Sequence, residues 1–460
     1  MPTIAKKSFF IFALAMIVRV FYVWFFVDSS NLELEDQMMY IQLGKIMAET
    51  GNFLQYASNG YVDVTERLPG YPAFLAVIYT LFGENNMIVV AVQIFIDSLT
   101  CVIIALITKL VTNKGFMFAG MISVFNLNMI VLSGMVLTDT LFLFFFSLFI
   151  LIVFSYLKKP NSFKLFLSVA MLCISILVRP VSYYLIVLLL PFVIIFLIYN
   201  KIDFKQILYS SILYVIPVVL ALGSTHYRNF NEYNSFLIVS QGGAHALYWV
   251  VPAAYQYSGQ GSYQDGQTLA RDKLIDIKQK DRLKKSSVDS VNNQFEDSNY
   301  QMQIARGILT EFGTVNILKA WSVGTVVNLL TPSIAYAPVV RAMKHQSFYE
   351  TPGNGAVSKI LNYITNTSSF IYLSVIIIGT IFSLLFFTSF ILGLYGMIKS
   401  KKMAIINREI IIFSLLIIFY FIAVTGPIIG VKYRLPIEPL MTIFVSYMLF
   451  RIKYKGTLKE

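Results

Sequence analysis

From Phe9 to Phe450 the sequence is a succession of apolar runs, each about as long as a bilayer is thick, separated by short clusters of charge. A membrane helix needs about 20 consecutive apolar residues, so these runs predict a chain that spans the membrane many times. Composition agrees: 57% of the 460 residues are apolar and only 13% are charged, against roughly 25% charged in a soluble domain. Lipid therefore replaces the water-shielded core of a globular protein.

The net charge of +12 is spread between the apolar runs rather than gathered in a stripe or tail. That pattern orients helices by the positive-inside rule and calls for no nucleic acid. Lys6 and Lys7 precede the run Phe9–Val27, which is too long for a signal-peptide core and has no small-residue cleavage site behind it, so it reads as an uncleaved first helix. The polar stretch Asp28–Glu66 is then extracytoplasmic. Leu68–Phe82 opens with Pro69, Gly70 and Pro72, which leaves too little to span and predicts an interfacial helix, whereas Met87–Leu110 spans. Were both to span, Lys109 and Lys114 would face outward. Further spans are expected at 116–132, 139–157, 163–178, 181–199, 206–222, 370–398, 410–429 and 436–450, about ten in all. Lys158/Lys159, Lys201/Lys205, Lys399/Lys401/Lys402 and Arg451/Lys453/Lys455 then all face the cytoplasm, as do both termini.

The expected architecture is an all-α polytopic membrane protein in three parts: an N-terminal transmembrane core (1–223) whose first outer loop covers 28–86, a large extracytoplasmic loop region with interfacial helices (224–369), and C-terminal transmembrane helices (370–460). Within the loop region, Thr268–Leu309 predicts a small helical excursion, and Val315–Tyr336 an interfacial or re-entrant segment. Cys101 and Cys173 both lie inside apolar runs, which excludes a disulfide framework or a cysteine-based metal site.

Chemistry concentrates in the outer loops. Glu35-Asp36 begins an amphipathic helix that carries Tyr40, and the pair suits either N-terminal capping or catalysis. Arg67 precedes the interfacial helix, where its planar fork of donors fits phosphate oxygens or snorkels to lipid. Asp139 lies at the outer mouth of a span, where it caps the helix or works in the site. Arg179, Arg228, Lys432 and Arg434 sit on the same side against the positive-inside rule, so each needs an anionic partner, either lipid phosphate or carboxylate. Asp97 and Arg19, inside spans, suggest a structural bridge or the wall of a polar cavity. His226, His245 and His345 lack ligand spacing, so no histidine metal site is expected.

Five segments together resemble the GT-C class of integral-membrane glycosyltransferases, notably the protein O-mannosyltransferase and lipid A aminoarabinose transferase (ArnT-like) superfamily. They are the loop from Glu35-Asp36 through Tyr40 to Gly51, Arg67-Leu-Pro-Gly-Tyr-Pro72, Thr138-Asp139-Thr140-Leu-Phe142, Tyr227-Arg228-Asn229 with Gly242-Gly243, and Tyr433-Arg434-Leu-Pro-Ile437. The resemblance implies transfer of a sugar from a polyprenyl-phosphate donor to an extracytoplasmic hydroxyl with inversion. Asp36, beside Glu35, best matches the catalytic base. Arg67, Arg228, Lys432 and Arg434 would hold the donor phosphate. Asp139 and Tyr40 would serve the acceptor or second acidic position, where relatives that use a divalent cation bind it; no other cofactor is implied. The acceptor stays open between protein, as in protein glycosylation, glycolipid and cell-wall polymer. The chain is expected to lack the large C-terminal soluble domain of some relatives, which leaves acceptor recognition to 224–369. A polysaccharide polymerase or ligase centres its chemistry on late Arg-rich loops, and a lipid-linked sugar transporter or flippase needs charge at mid-membrane. The acidic first loop favours the transferase over both.

Overall fold

The computed structural model describes residues 3–27, 35–57, 60–112, 115–284, 293–348, 350–400 and 407–453. Lys114, Lys401, Lys402, Lys455 and the start of the first outer loop lie outside these. The chain is a multi-pass helical membrane protein. Among the described residues eight helical segments are long and apolar enough to cross a bilayer: α1 (Ile4–Phe26), α4 (Asn86–Val111), α7 (Thr138–Lys158), α9 (Leu185–Tyr199, with the 3-10 turn Pro180–Ser182 before it), α10 (Phe204–Tyr233), α18 (Phe370–Lys399), α19 (Arg408–Thr425) and the segment Val431–Lys453 that ends in α20 (Glu438–Lys453). The other two expected spans are helical as well. One is broken by 50° between α5 (Phe116–Val124) and α6 (Leu127–Ser133), and the other, α8 (Ser162–Val178), has 17 residues.

The break has a local cause. Asn126 lies between the two pieces, and its side chain accepts from the backbone N–H groups of Asn128 and Met129, starting α6 as a new helix. The same asparagine-capping device starts α4 at Asn85 and α8 at Asn161. Charge buried in the bundle is paired: the Arg19 guanidinium on α1 meets the Asp97 carboxylate on α4, and its remaining donors reach the Val124 and Ser123 carbonyls. Removing one member of such a pair strands the other, at a cost of about 3–5 kcal/mol.

Beyond the spans, α2 (Glu35–Thr50) lies against α3 (Gly70–Phe82), the short helix expected at the interface. Thirteen residues at 1.5 Å each fall well short of a bilayer core. Their contact is close because Gly44 has no side chain: a Cβ there would stand 2.6 Å from Leu75 Cβ. The expectation of helices alone misses one element, an antiparallel hairpin of β1 (Leu54–Ala57) and β2 (Gly60–Asp63), in register Leu54 to Asp63.

The loop region folds as helices: α11 (Gly242–His245), a π-turn (Ala246–Val250), α12 (Val251–Ser258), α13 (Tyr263–Lys284), α14 (Gln294–Phe312) and α15 (Thr314–Leu330). They share a second hydrophobic core that includes Leu247, Val251, Ala254, Tyr257, Ala305 and Ile308. A 3-10 turn (Ser333–Tyr336), α16 (Pro338–Arg341) and α17 (Ala356–Asn366) lead back to the spans.

Candidate active site

Four polar outer segments converge at one end of the bundle. The first turn of α2 is held there by Gln37, a buried side chain whose Oε1 accepts from Val136 N–H at 2.7 Å, in the turn between α6 and α7. Asp36, one residue earlier, is 57% exposed, and its Oδ2 accepts from Lys432 Nζ at 3.3 Å. Asp139, in the first turn of α7, is 3% exposed and paired with Arg179, which follows the last residue of α8. Tyr40, one turn beyond Asp36, meets Tyr71 edge to face with ring centroids 5.3 Å apart.

Electrostatics ties these groups into one cluster. Burial raises the Tyr40 phenol above its usual range; Arg67 and Arg179 pull it down, while Asp36 and Asp139 push it up. The His245 imidazole is held below its usual value by burial first and then by Lys432, Arg67 and Arg179. Tyr336 is raised by burial, opposed by Lys432 and Arg341 and reinforced by Tyr433 and Asp139. Asp36, Tyr40, Arg67, Asp139, Arg179, His245, Lys432, Tyr433 and Tyr336 thus belong to one electrostatically linked polar cluster.

Within it Arg67 is the cation with donors to spare. Among the described residues its only hydrogen bond goes to the neighbouring Glu66 carbonyl, at 3.2 Å, and no carboxylate faces it. Arg434, two residues from Lys432, points the other way. Its guanidinium, 8% exposed, donates to the carbonyls of Leu329 (2.9 Å) and Thr331 (2.6 Å), to Ser333 Oγ (2.7 Å) and to Glu438 Oε1 (2.8 Å). Arg228 also stands apart, donating to Asn229 Oδ1 (2.9 Å) and the Val64 carbonyl (3.3 Å). The Glu35 side chain lies outside the described residues.

Four members of the cluster, Arg179, His245, Tyr336 and Tyr433, carried no assigned role in the sequence. Arg179 was legible as an outer cation, but its pairing with Asp139 spans 40 positions. His245 has no spacing motif, and only the fold brings it beside Arg67 and Lys432.

A divalent cation does not fit the described residues. No group of three or more His, Cys, Asp or Glu converges, and the two carboxylates present are each already matched by a side-chain cation.

Comparison with known proteins bears on the fold and on part of the sequence. The family model described as dolichyl-phosphate-mannose-protein mannosyltransferase matches residues 66–227, a stretch that holds Arg67, Asp139 and Arg179. Among solved structures the chain is similar to the archaeal oligosaccharyltransferase AglB from Archaeoglobus fulgidus, determined with an inhibitory peptide and a dolichol-phosphate. That similarity has a TM-score of 0.50 at 9% identity and covers 99% of this chain. The chain spans 52% of the archaeal protein, about half its length. ArnT from Cupriavidus metallidurans, in the apo state, superposes with a TM-score of 0.38 at 11% identity, covering 95% of this chain and 76% of that one. A sequence search among curated proteins finds no match. The chain therefore has a GT-C membrane glycosyltransferase fold and resembles the protein mannosyltransferases.

Proposed function

We propose that this protein transfers a sugar from a polyprenyl-phosphate donor to an acceptor hydroxyl, with inversion at the anomeric carbon, using Asp36 as base. The observation that carries this reading is the pairing of an exposed carboxylate, Asp36, with Lys432, beside Tyr40, whose phenol feels both Asp36 and Arg67. Oligosaccharyl and mannosyl transfer from dolichyl phosphates by proteins of similar fold or sequence supports the choice of donor.

The chemistry balances with these residues alone. Asp36 takes the proton as the acceptor oxygen bonds to the anomeric carbon. The bond from that carbon to the phosphate oxygen breaks on the opposite face, and its electron pair leaves with polyprenyl phosphate. Negative charge then grows on the phosphate, where Arg67 and Lys432 meet it through charge-assisted hydrogen bonds. Lys432 has two roles in sequence: an arriving phosphate competes for its ammonium and frees the Asp36 carboxylate oxygen for the acceptor hydroxyl. Asp139, fixed by Arg179, borders the acceptor side with Tyr40. Arg434 holds the turn that carries Lys432 rather than the phosphate itself.

An extracytoplasmic site is supported by the opposite end of the bundle. There Lys158 donates to Asn407 Oδ1 at 2.8 Å, Arg408 to the Tyr199 hydroxyl at 2.8 Å, and Lys453 lies over the Phe118 ring. A basic rim of this kind is what the positive-inside rule expects of a cytoplasmic end, which favours the outer side for Asp36.

The test supplies purified protein in nanodiscs with polyprenyl-phosphate sugars and measures release of polyprenyl phosphate. Asp36→Asn is expected to lose about 100- to 10,000-fold in turnover, the usual worth of a general base. Turnover equal to wild type removes Asp36 from the reaction.

A further inference from the structure

Two buried glutamines on different helices grip the same peptide group beside Asp36. The turn between α6 and α7, residues 134–137, is irregular backbone inside the protein, with Met135 and Val136 both buried. Away from water its peptide groups need partners from the protein itself. Gln93 on α4, fully buried, donates from Nε2 to the Met135 carbonyl at 2.7 Å. Gln37 on α2 accepts at Oε1 from Val136 N–H, also at 2.7 Å. That carbonyl and that N–H belong to one amide, the peptide bond joining Met135 to Val136, so it is held from both sides.

The clamp extends to a third helix. Gln93 Oε1 accepts from the Tyr71 hydroxyl on α3 at 2.7 Å, which leaves Nε2 to face the Met135 carbonyl. The Tyr71 ring meets Tyr40 edge to face, and Tyr40 lies one turn beyond Gln37 on α2. The circuit of contacts therefore closes through α2, the 134–137 turn, α4 and α3. Three of those segments adjoin residues of the polar cluster: Asp36 directly precedes Gln37, Asp139 comes three residues after Val136, and Arg67 stands four residues before Tyr71. Satisfying a buried turn calls for an acceptor at Val136 N–H. It does not call for that acceptor to come from the residue next to Asp36.

We propose that Gln37 is a positioning residue for the transfer reaction, and that its grip on the Met135–Val136 peptide fixes the Asp36 carboxylate at the acceptor hydroxyl. This rests on the reading of Asp36 as the base. A general base works only within hydrogen-bond reach of the proton it takes. Asp36 is 57% exposed and its side chain is paired with Lys432, the ammonium that an arriving phosphate draws away. From that moment the backbone of α2 holds the carboxylate in place, and Gln37 ties that backbone to the turn that leads into Asp139. Gln37 acts through Asp36, without bonding to substrate.

The experiment measures release of polyprenyl phosphate by the protein in nanodiscs, with kcat and donor KM taken separately. Gln37→Met keeps the length of the side chain and removes the acceptor. Its kcat is expected to fall about 100-fold, the scale of a misplacement of about 1 Å, with donor KM within about twofold of wild type. Gln37→Glu, which keeps an oxygen for Val136 N–H, is expected to recover about tenfold of that loss. Asp36→Asn with Gln37→Met is expected to be no slower than Asp36→Asn alone, because a residue that acts through Asp36 then has nothing to act on. Gln93→Met loosens the same peptide from its other side and is read in the same way, alone and with Asp36→Asn, should Gln37→Met not fold. Wild-type kcat in Gln37→Met, no recovery in Gln37→Glu, or a double variant that multiplies the two losses overturns the positioning role while Asp36 stands as the base. If Asp36→Asn itself turns over at the wild-type rate, both readings are overturned.

Discussion

Arg434→Ala separates two cations of one basic turn to which the sequence gives the same role. In the fold, Arg434 reaches the Leu329 carbonyl near the C-terminus of α15, the Thr331 carbonyl and Ser333 Oγ beyond it, and one oxygen of Glu438 in the first turn of α20. Cations at a helix C-terminus satisfy carbonyls that have no partner within the helix. Glu438 is buried too and also accepts from Asn126 Nδ2 at 2.7 Å and Asn128 Nδ2 at 3.1 Å, so α6, α15 and α20 meet at this one pair. Truncating Arg434 leaves Glu438 charged and buried with two neutral amides, at a cost of about 3–5 kcal/mol. Thermal unfolding in detergent, compared at one scan rate because such proteins unfold irreversibly, should therefore show a Tm several degrees below wild type. Arg434→Ala with Glu438→Ala should lose less than the sum of the single changes, because each alone strands the other's charge. Transfer at saturating donor should fall as Lys432 loses its fixed position, with a smaller change in donor KM. An Arg434→Ala protein with wild-type Tm and a donor KM raised tenfold would refute this reasoning and return Arg434 to the phosphate.

Arg67→Ala should behave in the opposite way: a Tm equal to wild type, since Arg67 bonds only the adjacent Glu66 carbonyl, and a donor KM raised about tenfold or more, the worth of one charge-assisted contact of about 1.5–3 kcal/mol. Lys359, buried on α17 with its ammonium 2.7 Å from Gln256 Oε1 and 4.9 Å from the Phe348 ring centre, is pushed down to about 7 by burial. Between that value and the usual 10.5 the unfolded chain holds a proton that the folded one lacks, so stability should rise with pH over that window, by at most about 1.4 kcal/mol per unit. Lys359→Met, which keeps the packed stem, should remove that rise in Tm between pH 7.5 and 9.5; a rise of unchanged slope would assign it to another group.

The membrane architecture was legible because hydrocarbon imposes a length on every crossing, and the apolar runs display that length directly. The bend within 116–133 was not, since hydropathy averages over Phe125 and Asn126, where one helix ends and the next is capped. The hairpin at 54–63 had a cue, Asn59-Gly60 between Tyr56 and Tyr61, a dipeptide suited to tight hairpin turns. Cross-chain pairs were illegible in principle: Asp36 and Lys432 are 396 positions apart, and nothing in either neighbourhood specifies the other.

Lys432 and Arg434 show why residue type alone does not assign a site. Both are cations on one short turn, and sequence offers no basis for giving the phosphate to one rather than the other. The two consecutive 3-10 turns, Val431–Tyr433 and Leu435–Ile437, send the side chains at 432 and 434 in different directions, Lys432 toward Asp36 and Arg434 toward α15. Chemistry explains why each suits its direction. The guanidinium fork spends several donors on carbonyls and a carboxylate at fixed angles, which makes it a good buried strut. The ammonium is a point charge on a flexible stem, able to leave one anion for another. The proposed hand-over of a cation from Asp36 to an incoming phosphate calls for the mobile group beside Asp36 and the rigid one behind it. Exchanging the pair, Lys432→Arg with Arg434→Lys, should therefore impair both stability and turnover although the net charge is unchanged.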